Sequence, residues 1–338
     1  MPTHPALLRQ ILNDDPNPGM IPYEMPDGSS AKPLILGKQL DPSKGDLDPR
    51  TKNWWPEAQT LMVMSKLQRR VAREGYLLPI LTSICLSLVS TMYGTEYRGG
   101  RKARLKYRSS SIIDFGICAG SVRVTGQDRL AYLFPNGDLL LGQDPDDHYW
   151  LYFKTLKGEE IILDLGMFTF NMCIIIGVRE YIGPMGLDIN EYVPAFFLDG
   201  KMDANIPVQG RIHTEKRRIS FLRNPEVHEL VGNLDLLSQR GGANRLSVFM
   251  DSISQEETSE QEKDMLCHSF ARSYGGFRAV LANQQWKLYP SQPTQAIEQD
   301  PDELRNMRKR PDLKRIMREH KKVRKNNQKH PNERVRSD

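Results

Sequence analysis

Two short hydrophobic segments carry a histidine and an aspartate that are suited to acid–base chemistry. His148 opens the segment HYWLYFK, and Asp164 lies near the end of the segment EEIILDL. Alternating residues on either side of Lys157-Gly158 predict an antiparallel hairpin. With a five-residue loop over 154–158, His148 lies opposite Asp164, at the separation of about 5 Å at which a carboxylate can hold an imidazole. The hairpin therefore predicts a histidine base that is oriented by an aspartate.

A histidine base of this kind needs a nucleophile, and Cys85 is the cysteine best placed for that role. It lies in an apolar stretch without charges, Gly75–Thr95, which precedes the predicted strands. If Thr82 or Ser83 caps a helix, Cys85 falls in its first turn, where the amide groups and the helix dipole favour the thiolate. The alternative for Cys85 is a small core side chain in a buried helix.

The histidine and the aspartate also have structural alternatives. His148 follows two acidic residues, so one alternative is a surface histidine paired with them, and Asp164 could end a strand as a turn residue. Four cysteines without a CxxC pair, and histidines without an i, i+4 pair, give no metal-ligand spacing. The sequence therefore predicts no metal and no cofactor.

The order of these residues resembles the transglutaminase-like core of the papain-like cysteine enzymes. The resemblance covers about residues 76–168, with an H-x-W motif at the head of a strand. It implies that Cys85 attacks an amide or ester carbonyl, that His148 is the base and that Asp164 orients it. Trp150 matches the aromatic residue that often follows the histidine, and we expect it to bind substrate. The implied function is acyl transfer or amide hydrolysis on a peptide or amide substrate, and the alternative is a relative that uses the fold only for binding.

The elements around these residues predict an α+β fold, with helices packed on an antiparallel sheet as in the transglutaminase-like family. Helical spacing after Trp55 predicts one helix, and Gly75–Thr95 predicts a second. A membrane span is the alternative for Gly75–Thr95, but Pro79 and basic residues on both sides favour a buried helix. From Ser111 to Leu165, a period of two predicts an antiparallel meander of four or five strands.

Charge and composition divide the chain of 338 residues into three parts. Residues 1–53 are rich in Pro, Asp and Gly and predict an extended, disordered arm, residues 54–290 predict a globular domain, and residues 291–338 predict a disordered or helical tail. Residues 305–338 carry a net charge of +10, whereas the rest of the chain carries −5. The second candidate function is therefore a non-catalytic binding protein whose tail engages an acidic partner such as nucleic acid. Without a secretory leader pattern, we expect an intracellular protein of the cytoplasm or nucleus.

Overall fold

The architecture comes from a computed structural model of the chain. It describes residues 4–13, 23–24, 28, 30–93, 104–124, 128–171, 174–177, 192–194, 196–199, 212–232, 240–290 and 295–297. These residues belong to one compact unit. Of the tail predicted over residues 291–338, the structure describes only Gln295–Ile297, which form a strand, so the prediction of a disordered or helical tail is wrong there; the rest of the tail lies outside the described residues.

The central sheet has six strands, and the predicted hairpin forms its middle. The strands lie in the order β12 (Phe196–Asp199), β9 (Glu160–Asp164), β8 (His148–Thr155), β5 (Ser110–Val122) and β13 (His213–Ser220), with β4 (Lys106–Tyr107) also paired to β5. Every pairing in this sheet is antiparallel. Successive side chains of a strand point to opposite faces, so this sheet has two chemically different surfaces.

Helices cover one surface of the central sheet, which we call the helix face. The helices on this face are α2 (Leu77–Met92), α3 (Pro225–Val231), α4 (Arg240–Ser254) and α5 (Glu260–Ala282), whereas α1 (Leu61–Arg73) packs in a second core. Phe115, Ile117, Leu151 and Ile161 on this face form the main core together with apolar side chains of α2 to α5. The opposite surface carries His148, Trp150 and Asp164, and we call it the histidine face. The predicted α+β class is confirmed.

A second sheet builds a separate core around two tryptophans. Its strands lie in the order β1 (Arg9–Ile11), β3 (Ser30–Gln39), β6 (Leu130–Leu133) and β7 (Leu139–Leu141), and β2 (Tyr23–Glu24) also pairs with β3. Trp54 and Trp55 are fully buried there against α1. The region 1–53, predicted as an extended arm, thus supplies strands to a sheet. Pro, Gly and Lys residues interrupt the alternation of polar and apolar side chains in this region, so the sequence pattern did not predict strands there. The structure shows a strand because β3 pairs with β6, which is distant in the sequence.

The predicted meander is corrected in its connectivity. The strands are present, but β5 pairs with β8, while β6 and β7 leave for the second sheet. A third small sheet holds β10 (Ile174–Gly177) between β11 (Tyr192–Pro194) and β14 (Gln295–Ile297). Strand patterning shows which segments are extended, but it does not show which neighbour each segment pairs with.

The apolar stretch predicted as a buried helix forms α2. Gly75, with φ of +75°, ends α1 and lets the chain turn into α2 without a steric penalty. Most side chains of α2 are buried in the main core. Within the described residues no single helix is long and apolar enough to cross a membrane, and the α1–α2 pair, which meets the criteria jointly, is bent by 81°.

Candidate functional site

Three buried side chains converge at one end of the histidine face. Asp164 Oδ2 accepts a hydrogen bond from His148 Nε2 at 2.7 Å and another from His213 Nε2 at 2.8 Å. The side chains of His148 and Asp164 are inaccessible to solvent, and that of His213 is 2% exposed. The predicted histidine–aspartate pair is therefore confirmed in its geometry, and it includes a second histidine.

The hairpin brings His148 and Asp164 together with a register that differs from the prediction. Tyr152 pairs with Ile162, so the strands are shifted by two residues from the predicted alignment. The loop is shorter than predicted because the Thr155 amide donates to the Glu159 carbonyl and the Gly158 amide donates back to Thr155. A shift of two residues keeps every side chain on its face, and His148 now reaches Asp164 diagonally.

The other carboxylate oxygen of Asp164 is held by the backbone. Oδ1 accepts hydrogen bonds from the amides of Gly166, at 2.7 Å, and Met167, at 3.1 Å. Burial alone raises the pKa of the Asp164 carboxyl, but His148 and then His213 lower it far below its ordinary value. The carboxylate is thus ionised, fixed in orientation and presented to the histidines through one oxygen.

Two glycines make room for this cluster. A Cβ on Gly166 would lie 2.3 Å from Leu77 Cδ2 and 2.8 Å from His148 Cε1, so both side chains lie against that glycine. On β5, a Cβ on Gly120 would meet the Thr214 carbonyl at 2.1 Å. Any larger side chain at either position would displace a strand or an imidazole of the cluster.

Cys85 does not join this cluster, which corrects the predicted first-turn position. Because α2 begins at Leu77, Cys85 lies in the middle of the helix, far from the amide groups of its first turn. The thiol is 0% exposed in the main core, where it contacts the helix face of the central sheet, and burial raises its pKa. The side chains of His148 and Asp164 lie on the opposite face.

Trp150, predicted to bind substrate, forms a wall of the histidine cluster. Its ring meets the His213 ring edge-on at 4.9 Å and stacks on the His148 ring at 6.3 Å. The residue is 1% exposed. The indole therefore fixes the two imidazoles by packing, and in this conformation it offers no surface to a substrate.

His213 was not predicted from the sequence. It begins β13, and it is separated from Asp164 by 49 residues and from β9 by two intervening strands. The segment HTEKRRIS carries mostly polar side chains, which is typical of a strand at the edge of a sheet. A polar edge strand that begins with histidine was therefore the one sequence feature that could have pointed to His213.

The cluster is a set of metal-ligand groups, although the sequence predicted no metal. One nitrogen from each of His148 and His213 and one oxygen of Asp164 all lie within 4.8 Å of one another. Because each of the three ligands comes from a different strand, none of them has a local spacing motif. Two imidazoles and a carboxylate suit Zn²⁺ and other first-row divalent ions.

Comparisons with protein-family models, with curated proteins and with solved structures found no match for this chain.

Proposed function

We propose that this protein binds a divalent transition-metal ion, Zn²⁺ in the first instance, through His148, Asp164 and His213. The observation that carries the proposal is the convergence of three buried ligand atoms on one point from three strands. A buried carboxylate between two imidazoles is expensive to assemble unless the groups compensate one another, and a bound cation adds to that compensation.

The distances are compatible with such an ion after a small adjustment. Zinc–nitrogen and zinc–oxygen bonds of about 2.0–2.1 Å in a tetrahedron place neighbouring ligand atoms about 3.3 Å apart. The nitrogen–oxygen distances in the cluster are 2.7 and 2.8 Å. Each imidazole must therefore move by about half an ångström, which a rotation of its side chain can supply. The backbone bonds to Asp164 Oδ1 supply the outer-shell support that metal-binding carboxylates usually have.

Metal binding also requires a change of tautomer. In the hydrogen-bonded cluster each Nε2 carries the ring proton and donates a hydrogen bond to Asp164, so this proton must move to Nδ1 before Nε2 can bind an ion. His148 Nδ1 is buried and has no hydrogen-bond partner among the described residues. A proton placed there costs about 1–3 kcal/mol, so we expect a weaker affinity than that of a four-ligand zinc site.

Three protein ligands leave one position of a tetrahedral ion for water. This number of ligands is typical of catalytic zinc sites, in which the ion acidifies the bound water. Hydrolysis is therefore the class of reaction that such a centre supports. The 3-10 turn Met167–Phe170 lies beside the cluster, with the Phe170 ring 5.5 Å from the His148 ring, and it would have to move for a substrate to enter.

The decisive experiment measures metal content and cobalt spectra in matched variants. After chelation and dialysis against Zn²⁺, we expect one equivalent of zinc in the native chain, measured by mass spectrometry, and a tetrahedral visible spectrum with Co²⁺. His213→Gln and Asp164→Asn should lose both signals. His268→Gln changes an exposed histidine on α5 and should retain them.

Zinc should also stabilise the native chain, by about 2.7 kcal/mol at a concentration one hundred times the dissociation constant. Circular dichroism of each metal-free variant shows whether it is folded. If His213→Gln folds and still retains stoichiometric zinc, or if the native chain shows no saturable binding, the proposal is wrong.

The cysteine-dependent acyl transfer stays a prediction, as does the resemblance to the transglutaminase-like core. The hydrogen bond between His148 and Asp164 favours it, whereas the burial of Cys85 on the helix face of the sheet argues against it. Binding of an acidic partner such as nucleic acid by residues 305–338 is likewise a prediction that rests on their charge.

A further inference from the structure

Strand β7 presents an apolar edge to solvent. Leu139, Leu140 and Leu141 are each 37–39% exposed, and no described strand pairs with their outer edge. The Phe134 amide donates to the Asp138 carbonyl and the Gly142 amide donates to the Leu130 carbonyl, so the even-numbered positions of this antiparallel pair bond to β6. By the alternation of such a ladder, Leu139 and Leu141 direct their backbone N–H and C=O groups outward.

The outward groups are symmetric about Leu140, so β7 of a second copy can satisfy all of them at once. We propose that two copies of this chain associate through antiparallel pairing of β7 with β7 about a two-fold axis at Leu140. Leu139 of each copy then pairs with Leu141 of the other, so four backbone hydrogen bonds form at once. The two Leu140 side chains lie directly opposite each other.

The charges around β7 are compatible with this pairing. In the proposed register Asp138 lies opposite Gly142, so no acidic side chain faces another across the contact. Natural edge strands are usually very short, or carry a lysine, a proline or an inward charge that prevents such pairing; β7 is short, but its three leucines supply no charge and no proline. The exposed apolar surface continues from Leu139 on β7 to its partner Leu133 on β6, and from Leu133 to its partner Ile35 on β3.

The size of the contact sets the expected affinity. A three-residue strand pair buries less than the roughly 1,200 Å² that a stable complex needs, so we expect a weak, reversible dimer with a dissociation constant above about 10 µM. The full chain should therefore change from monomer to dimer with concentration in sedimentation equilibrium.

A charge-swap experiment tests the second copy as the occupant. Leu140→Lys and Leu140→Glu should each weaken self-association about tenfold, because like charges meet at the two-fold axis. An equimolar mixture of the two variants should form a heterodimer with close to native affinity. Leu156→Lys introduces the same charge on an exposed leucine in the loop between β8 and β9, outside the sheet that contains β7, and it should dimerise as the native chain does.

A second measurement on the native chain covers the case in which a Leu140 variant fails to fold. Hydrogen exchange at the Leu139 and Leu141 amides should slow as the protein concentration rises. A chain that remains monomeric to about 1 mM, or a dimer that tolerates both Leu140 variants, would overturn the proposal. Slower exchange at these amides only in the presence of an added extended peptide would assign the edge to a different partner.

Discussion

A buried histidine–glutamate pair, His4 and Glu74, which shares no side chain with the cluster of His148, Asp164 and His213, makes a quantitative prediction about the pH dependence of stability. Glu74 at the end of α1 accepts a hydrogen bond from the Tyr132 hydroxyl at 2.7 Å. His4 Nε2 lies 3.8 Å from the same Glu74 oxygen, and the His4 ring packs on the Tyr132 ring. Burial raises the pKa of Glu74 to about 7, against smaller opposing effects of Tyr132, Arg70 and Gln143. Burial lowers the pKa of His4 to about 4.

The two shifts have opposite effects on stability. Glu74 rises from an ordinary pKa of 4.5, so the folded state loses stability as the pH rises from 4.5 through 7. His4 falls from 6.5, so the folded state loses stability as the pH falls from 6.5 through 4. Each shift corresponds to about 3 kcal/mol. In the native chain the two slopes cancel between pH 4.5 and 6.5, because folding moves a proton from the histidine to the glutamate.

Single substitutions should reveal each slope. With Glu74→Gln only the histidine remains, so the free energy of unfolding should drop by about 3 kcal/mol as the pH is lowered from 6.5 to 4. With His4→Asn only the glutamate remains, so the free energy should drop by a similar amount as the pH is raised from 4.5 to 7. An asparagine can still accept the hydrogen bond that the Ala6 amide donates to His4 Nδ1.

Urea unfolding at half-unit steps of pH measures these curves, provided that unfolding is two-state. Glu57→Gln removes an exposed carboxyl near the start of α1 and should follow the native curve. Variant curves that run parallel to the native curve over this range would refute the proposed exchange of a proton.

Two further predictions concern the thiols and the tail. In the folded protein the exposed Cys267 should react with iodoacetamide before Cys85 and Cys118, because these two thiols are buried and burial raises their pKa. Mass spectrometry of timed samples measures the order of labelling. Faster labelling of Cys85 would restore thiol catalysis as the leading function. If the tail binds nucleic acid, the affinity of the full chain should fall steeply between about 50 and 200 mM salt, and deletion of residues 305–338 should abolish it. Fluorescence anisotropy measures both effects. Binding that survives the deletion would contradict this role for the tail.

The relation between His148 and Asp164 could be predicted because it is local. The two residues are sixteen positions apart on one hairpin, and alternation alone puts them on the same face. An error of two residues in the register did not matter, since side chains repeat their orientation every two positions. The buried helix α2 could be predicted for a similar reason, because its apolar composition is a property of the segment itself.

Residues that meet across the fold could not be placed in this way. The first turn of α2 depends on the turn at Gly75, between α1 and α2, and not on the polar residues that precede Cys85. The side of the sheet that receives α2 is decided by the apolar surface available on all strands together, and this puts Cys85 behind the sheet from His148.

The α+β class, the strands of the hairpin and the pairing of His148 with Asp164 could be predicted without the structure, because each follows from periodicity over a short stretch of chain. Only the tertiary structure brought His213 to the same carboxylate and divided the predicted meander between two sheets. Strand pairing over long sequence separations depends on which backbone hydrogen bonds and apolar faces can be satisfied simultaneously, and no local pattern contains that information.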